Sequence, residues 1–528
     1  MNGPEPVHPD ASSAPLTASP TPTARWWQRD WIAVVVLLAG TALLWFIRRK
    51  GPAWAMEEAM MLQAPLRVID GAVPGRDFDY FYGPLSLLIP AGAYEIASPT
   101  LVVARAVGAA YVASIGVGLY FVGRRWSHLI GLAMGTIAVL IGALSMTALP
   151  IMGAIGGLVV ALAFAVSDLR PGPKAWAVGL AGAYATLLRP EFLLFAVVLL
   201  GMLTLTRTVR PVAWLAGAIG LAPYLWPVIG AGFGTTWRNL VGDAMHVASE
   251  RHLPWHADLG GTGLLAIIGA VTALVAVVLG IRRRDQLTGV ALLGLGVFGL
   301  CLVPEYLQRA DRVHAIYFTM VPLATVVPVS YELLGHLGRL RDRIGWRQLA
   351  AVGIAALVVL GLRPKFVSRA TIRDARTSMQ GGLVYDVSNQ GHVWYYRTAE
   401  RARERAEIVR AAARIAEPGA TLFVGPLALD RPTYTDGSFY TLLPEYEQHT
   451  HFYDFHPRIG QVDGHRLAAD VADADVVILC DTGFDEDNLS ARPGSDEAAE
   501  VVASQFTLVT RAGDCRLYQA DADAKEAS

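Results

Sequence analysis

The chain has 528 residues, 53% hydrophobic and 17% charged, with a mean hydropathy of +0.40, which is too apolar and too poor in charge for an ordinary water-soluble protein. A formal net charge of -1 hides a segregation: arginines gather in short loops between apolar runs and acidic residues toward the C-terminus, a distribution that speaks against nucleic acid as a partner. Cys301, Cys480 and Cys515 show none of the short paired spacings of a thiolate metal site.

Residues 1–24 are rich in Pro, Ser, Thr and Ala without an apolar stretch, so they are expected to form a disordered tail and not a signal peptide. The first apolar run, Trp31 to Ile47, is long enough to span a bilayer and is followed by no cleavage pattern, which predicts a retained helix. Further apolar segments lie near residues 101–122, 128–145, 149–167, 174–188, 191–206, 211–231, 262–281, 287–303, 313–334 and 348–362, about eleven spans in all. The expected fold is thus a polytopic α-helical membrane domain over residues 25–363, with a first outer loop at 51–99, and a C-terminal extracytoplasmic α/β domain over 364–528.

Orientation follows from loop charge. With the N-terminus cytoplasmic, the inner loops hold Arg124, Arg125, Arg170, Lys174, Arg207, Arg210, Arg282 to Arg284 and a group from Arg339 to Arg347, and the outer loops hold fewer. Arg48, Arg49 and Lys50 oppose this locally, and the later loops outvote them. The expected location is a bacterial inner membrane, crossed several times.

The first outer loop is the most informative stretch. From Trp54 to Gln63 and on through Arg67, its apolar spacing predicts an amphipathic helix at the membrane surface, ended at Gly71. Glu57 and Glu58 open that helix, and Asp77 and Asp79 follow a Pro/Gly turn. Carboxylates next to a bilayer are costly without a task or a partner. Glycosyl transfer needs such a group, to accept the proton of an attacking hydroxyl, and cations for a departing phosphate. Arg105, Arg189 and Glu191 lie at or near the ends of spans, and Arg309, Asp311, Arg312 and His314 form a denser outer cluster suited to a lipid phosphate. His246, His252 and His256 fit no recognised metal-ligand spacing. The glycines from Gly153 to Gly157 suit close helix packing.

In the tail, a polar helix from Thr398 to Ile415 precedes a strand at Thr421 to Gly425, and a helix from Gly464 to Ala474 precedes a strand at Asp475 to Cys480. No G-x-G-x-x-G turn follows either strand, so a nucleotide site is unsupported. An acceptor-binding or packing module is expected, in which the Tyr, Phe and His residues from Tyr434 to His456 either stack on sugar rings or form the domain's own aromatic core. Cys480 and Cys515 could pair if the tail is extracytoplasmic, or stay as two buried thiols.

The acidic pair after the first span, Pro74-Gly-Arg-Asp-Phe78, Tyr82-Gly-Pro84, Arg105, Leu188-Arg-Pro-Glu191 and the run from Arg309 to His314 come in an order that resembles the GT-C superfamily of polytopic glycosyltransferases. The resemblance is to bacterial members related to glycosyltransferase family 39, the protein mannosyltransferase-like group, and covers the membrane domain. It implies transfer of a sugar from a polyprenyl-phosphate donor, on the outer face and with inversion, to a glycan, lipid or protein acceptor. The family's first acidic position, usually Asp, falls on Glu57 with Glu58 beside it, and the second falls on Asp77. The departure from Asp leaves either glutamate as the base. Asp79 completes the catalytic candidates, and Arg105, Arg309, Arg312 and His314 are the candidates for donor phosphate. Some relatives use a divalent metal ion and others do not, so no metal is assigned.

Two other classes compete. A flippase or transporter of lipid-linked saccharide predicts internal repeats and broken midplane helices, which the sequence lacks. A non-catalytic cell-envelope scaffold explains the tail but not the carboxylate-rich loop.

Overall fold

The computed structural model describes residues 26–243, 245, 262–308, 312–336, 344–366, 385–430, 435–448, 450–452, 463–481 and 493–521. The expected disordered tail and the histidines His246, His252 and His256 lie outside them.

Every apolar run of the sequence is helical. In the first half these are α1 (Trp26–Arg48), α4 (Leu101–Gly123), α5 (His128–Gly142), α6 (Pro150–Ala165), α7 (Pro171–Leu188), α8 (Phe192–Leu205), α9 (Val212–Gly220) and α10 (Leu225–Ala231). Helices at Thr262–Arg282, Leu287–Cys301, Arg312–Leu334 and Ile344–Phe366 complete the set. Among the described residues seven helices are long and apolar enough to cross a membrane, and α6, α8 and Gly345–Val358 are shorter apolar helices. α1 turns Trp31, Val35, Leu38, Leu43 and Phe46 outward, and α8 does the same with Leu193, Leu194 and Val197. Contiguous apolar faces of this kind are stable against lipid and not against water. The chain is a multi-pass membrane protein.

Small residues let the helices approach. A Cβ on Gly153 would lie 2.6 Å from Leu188 and 3.0 Å from Tyr111, and one on Gly157 would lie 2.8 Å from Tyr184, so α6 is seated against α4 and α7 as its glycine stripe predicts. At the other ends of α1 and α4, Arg124 pairs with the buried Asp30, which also accepts the Tyr120 hydroxyl at 2.5 Å.

The first outer loop contains two helices, α2 (Glu57–Ile69) and α3 (Leu85–Ile96). α2 ends as expected: Gly71 takes φ +91°, its N–H donates to Val68 O, and the Ala72 N–H donates to Arg67 O, a glycine-terminated cap that occupies two orphan carbonyls. Its setting differs from the expectation. The stretch from Glu58 to Pro65 is buried on all sides, because α2 is sandwiched between α3 and α4 below and the tail above instead of lying open on the membrane surface.

In the tail, β1 (Tyr385–Asn389) and β2 (His392–Tyr396) form a hairpin. β3 (Thr421–Pro426), β4 (Glu447–Gln448), β5 (Val476–Cys480), β6 (Phe506–Ala512) and β7 (Cys515–Ala520) form a five-stranded sheet in the order β4-β3-β5-β7-β6. β3 runs parallel to β4 and β5, and β7 is antiparallel to β5 and β6. The expected strands and helices are present, with the helix Ala399–Ile415 capped by the Thr398 hydroxyl. Cys480 and Cys515, opposite each other on β5 and β7, form a disulfide.

Candidate active site

α2 carries a proline at position 65, which cannot donate to the carbonyl of Met61. The buried hydroxyl of Tyr94 on α3 donates to that carbonyl instead, at 2.9 Å, so the helix continues and is fixed to α3 at the same point.

At the first turn of α2, Glu58 is 2% exposed and Arg105 of α4 is 5% exposed. Arg105 Nε donates to Glu58 Oε1 at 2.6 Å and Nη2 to Oε2 at 2.9 Å, a two-pronged pair. The Trp54 N–H adds a third bond to Oε2 at 2.8 Å. Arg105 also donates to the carbonyls of Arg48, Arg49, Gly51 and Pro52 at 2.9 to 3.2 Å. A guanidinium has five N–H donors, and here they bind the loop that leaves α1 to α2. The structure thus gives Arg105, a candidate for donor phosphate, the task of neutralising Glu58 and holding that loop. Glu57, the next residue, is half-buried and projects about 100° around the helix from Glu58.

The second acidic position lies elsewhere. Arg67 in the last turn of α2 donates to the Asp77 carbonyl at 2.9 Å and to the Thr450 carbonyl at 2.6 Å. Nine residues of helix separate Glu58 from Arg67, about 14 Å. The carboxylates that seemed to gather in the sequence are therefore divided between the two ends of α2. Asp77 accepts two bonds from Arg76, at 2.9 and 2.8 Å, and one from the Val73 N–H at 2.7 Å. Hydrogen bonding from Arg76 holds its carboxyl down to about 2, against some desolvation, so it stays ionised at any physiological pH. The Asp79 N–H donates to the His451 carbonyl at 2.6 Å, and Asp79 bridges to Phe452 of the tail.

Two motifs that are distant in sequence meet. The Gly83 N–H of Tyr82-Gly-Pro84 donates to the Leu188 carbonyl at 3.1 Å, next to Arg189. A Cβ on Gly83 would lie 2.2 Å from Leu187 O, so only glycine fits. Arg189 reaches the Tyr82 ring at 5.5 Å, pairs with Glu191, and donates to Glu305 at 3.1 Å. Glu305 was missed in the sequence, where its signal was a single carboxylate in an otherwise apolar stretch.

His314, in the first turn of Arg312–Leu334, is half-buried and lies edge-on to Tyr317 with ring centroids 6.2 Å apart. Arg309 and Asp311 lie outside the described residues, and of Arg312 only the backbone is described. Among the described residues no group of three or more His, Cys, Asp or Glu could hold a metal ion.

The tail closes over α2. Gln63 Nε2 donates to Thr441 Oγ1 at 2.7 Å, and Gln448 donates to Gln63 Oε1. The Ala53 N–H donates to the Tyr395 carbonyl at 2.8 Å. His451 receives an Arg466 N–H on Nδ1 at 2.8 Å, and its burial and the Arg466 charge lower its pKa from 6.5 to about 4. None of these tail residues except His451, within the aromatic run, was singled out by the sequence.

No protein-family model matches the chain, and no curated protein sequence does. Solved structures do. ArnT from Cupriavidus metallidurans bound to undecaprenyl phosphate aligns over 94% of this chain and 98% of its own, with 11% identity and a TM-score of 0.59. Apo ArnT from the same organism aligns over 94% and 99%, with 14% identity and a TM-score of 0.48. An oligosaccharyltransferase from Archaeoglobus fulgidus tethered to an acceptor peptide aligns over 94% and 74%, with 12% identity and a TM-score of 0.49. The match to undecaprenyl-phosphate-bound ArnT covers 94% of the chain, and the chain accordingly shares the fold of that protein.

Proposed function

We propose that the chain is a glycosyltransferase that moves a sugar from a polyprenyl-phosphate donor to an extracytoplasmic glycan, lipid or protein acceptor. The observation that carries this reading is the acidic pair at the start of α2, with Glu58 locked to Arg105 and Glu57 half-buried beside it, on a fold shared with ArnT bound to undecaprenyl phosphate. Both Glu58 oxygens are taken up by Arg105 and the residue is 2% exposed, so an acceptor hydroxyl has no path to it. Glu57 is the base: it takes the proton of the acceptor hydroxyl as that oxygen bonds to the anomeric carbon. The bond from that carbon to the phosphate oxygen breaks in the same step, with inversion, and the polyprenyl phosphate leaves with the electron pair.

Arg309, Arg312 and His314, within six positions of sequence, neutralise the departing phosphate. Asp77, tied to Arg76 and to the Val73 N–H, acts by holding the turn from Val73 to Asp77 closed. Transfer takes place outside the cytoplasm. The Cys480–Cys515 disulfide supports that side for the tail, since such bonds persist in oxidising compartments.

The test is transfer in nanodiscs from a panel of radiolabelled polyprenyl-phosphate sugars, with Glu57→Gln, Glu58→Gln and Asp77→Asn compared at matched folded amounts. Glu57→Gln is expected to abolish transfer in a folded protein. Transfer retained in Glu57→Gln would remove Glu57 as the base, and no transfer by the wild type from any donor would sink the transferase reading.

A further inference from the structure

Between the C-terminal half of α2 and the tail lies a cavity of about 420 Å³, within the roughly 300–1,000 Å³ range of small-molecule sites. It begins at Gln63 and Arg67, toward the far end of α2 from Glu57, and its other wall is tail: Thr441, Tyr446, Glu447 and Gln448. The mechanism proposed above uses none of these groups for chemistry.

The lining has a distinct character. Gln63 is 3% exposed and Thr441 is 5% exposed. Gln63 directs one amide N–H to the Thr441 oxygen, and a primary amide has a second N–H while a threonine hydroxyl has a proton of its own. Buried groups with remaining capacity to donate favour a ligand rich in acceptors. The Tyr446 hydroxyl is engaged with the Ala412 carbonyl at 2.8 Å, which leaves its ring as the part that borders the cavity. Arg67 supplies one positive charge, and Asp70 and Glu447 two negative ones, so a strongly anionic ligand is disfavoured. Amides, a hydroxyl, carboxylates and an aromatic ring on one small cavity match the alternating hydroxyls and apolar faces of a neutral pyranose or furanose.

We infer that this cavity is a saccharide subsite, which holds a neutral sugar unit of the acceptor beside the C-terminal half of α2, away from the acidic pair, and thereby selects glycan acceptors. The inference rests on the transferase reading and deepens it. Arg67 links the two: the side chain that borders the cavity also donates to the Asp77 carbonyl, so an occupied subsite bears on the loop that leads to Tyr82-Gly-Pro84.

Saturation-transfer difference NMR on the full-length protein in nanodiscs tests this without turnover, with neutral mannotriose, arabinotriose and galactotriose as probes. At least one trisaccharide is expected to show saturation transfer in the wild type and in Glu57→Gln. In Thr441→Val and Gln63→Met the apparent Kd is expected to rise at least fivefold. Glu447→Ala, a change at an exposed residue, is expected to weaken binding severalfold and answers the question if the two buried variants fail to fold. Binding lost in Glu57→Gln but unchanged in the Thr441, Gln63 and Glu447 variants would overturn the subsite by placing the sugar at the acidic end. Absence of saturation transfer from all three probes to a protein active in sugar transfer would overturn it too, while leaving the transferase reading intact.

Discussion

Replacing Glu58 by Gln keeps the shape of the side chain and removes the charge that Arg105 faces, leaving a guanidinium 5% exposed without its counterion. Breaking a buried pair in this way costs about 3–5 kcal/mol, so Glu58→Gln is expected to lower the unfolding temperature in detergent and the yield of monodisperse protein. Glu57→Gln is expected to yield folded protein and to cut transfer by roughly 100-fold to 10,000-fold, the usual contribution of a general base. A Glu58 variant that is fully stable would show that the Arg105 contact carries no such energy. The sequence made both glutamates visible as candidates but could not separate them, because the separation depends on which helix face meets Arg105, a residue 47 positions away from Glu58. The same blindness applied to Arg105. An arginine at a span end looks the same in sequence whether it binds a phosphate or four loop carbonyls.

At the scale of elements, the loop from Ala72 to Pro84 joins three bodies: α2, the helical pair α7–α8 and the tail. Gly83→Ala would push a methyl group to 2.2 Å from the Leu187 carbonyl oxygen, and backbone on both sides leaves little room to yield. We expect loss of the folded protein, read as aggregation on size exclusion, and a normal elution profile would refute the contact. On the tail side, His451 is surrounded by Arg466, Arg67, Asp77 and Asp470. Its folded pKa of about 4 lies below the ordinary 6.5, so the unfolded chain binds a proton that the folded one rejects. The resulting stability is complete above pH 6.5 and is lost as the pH falls toward 4. Thermal unfolding between pH 7 and 4 should show this loss, reduced in His451→Gln. A pH dependence identical in both proteins would count against the histidine. The membrane helices, the end of α2 at Gly71 and the main tail strands were legible because apolar length, a glycine terminator and β-branched runs are local signals. The pairing of β7 with β5 and the closure of the tail over α2 were not, since both depend on partners far away in the chain.

For the whole molecule, sidedness has a direct chemical reporter. The Cys480–Cys515 bridge closes a loop of 35 residues, and its removal by Cys515→Ser is expected to destabilise the tail by about 4 kcal/mol on the chain-entropy view. Membrane-impermeant maleimide is expected to label a cysteine introduced into the tail in intact cells, and not one introduced next to Arg125. The reverse pattern would invert the topology. The bridging contacts between α2 and the tail, Gln63 with Thr441 and Gln448 and Arg67 with Thr450, span 378 to 385 positions of sequence. A ribosome releases α2 early and the residues that cover it hundreds of steps later, and contacts of such separation form slowly. Throughout synthesis the polar flank of α2 waits uncovered at the bilayer surface, so a nascent chain cut short before residue 441 is inserted yet unfinished. On the topology proposed above, the cover of α2 is thus coupled to export of the tail, and the contacts of Gln63 and Arg67 are complete only after residues 441–450 have crossed.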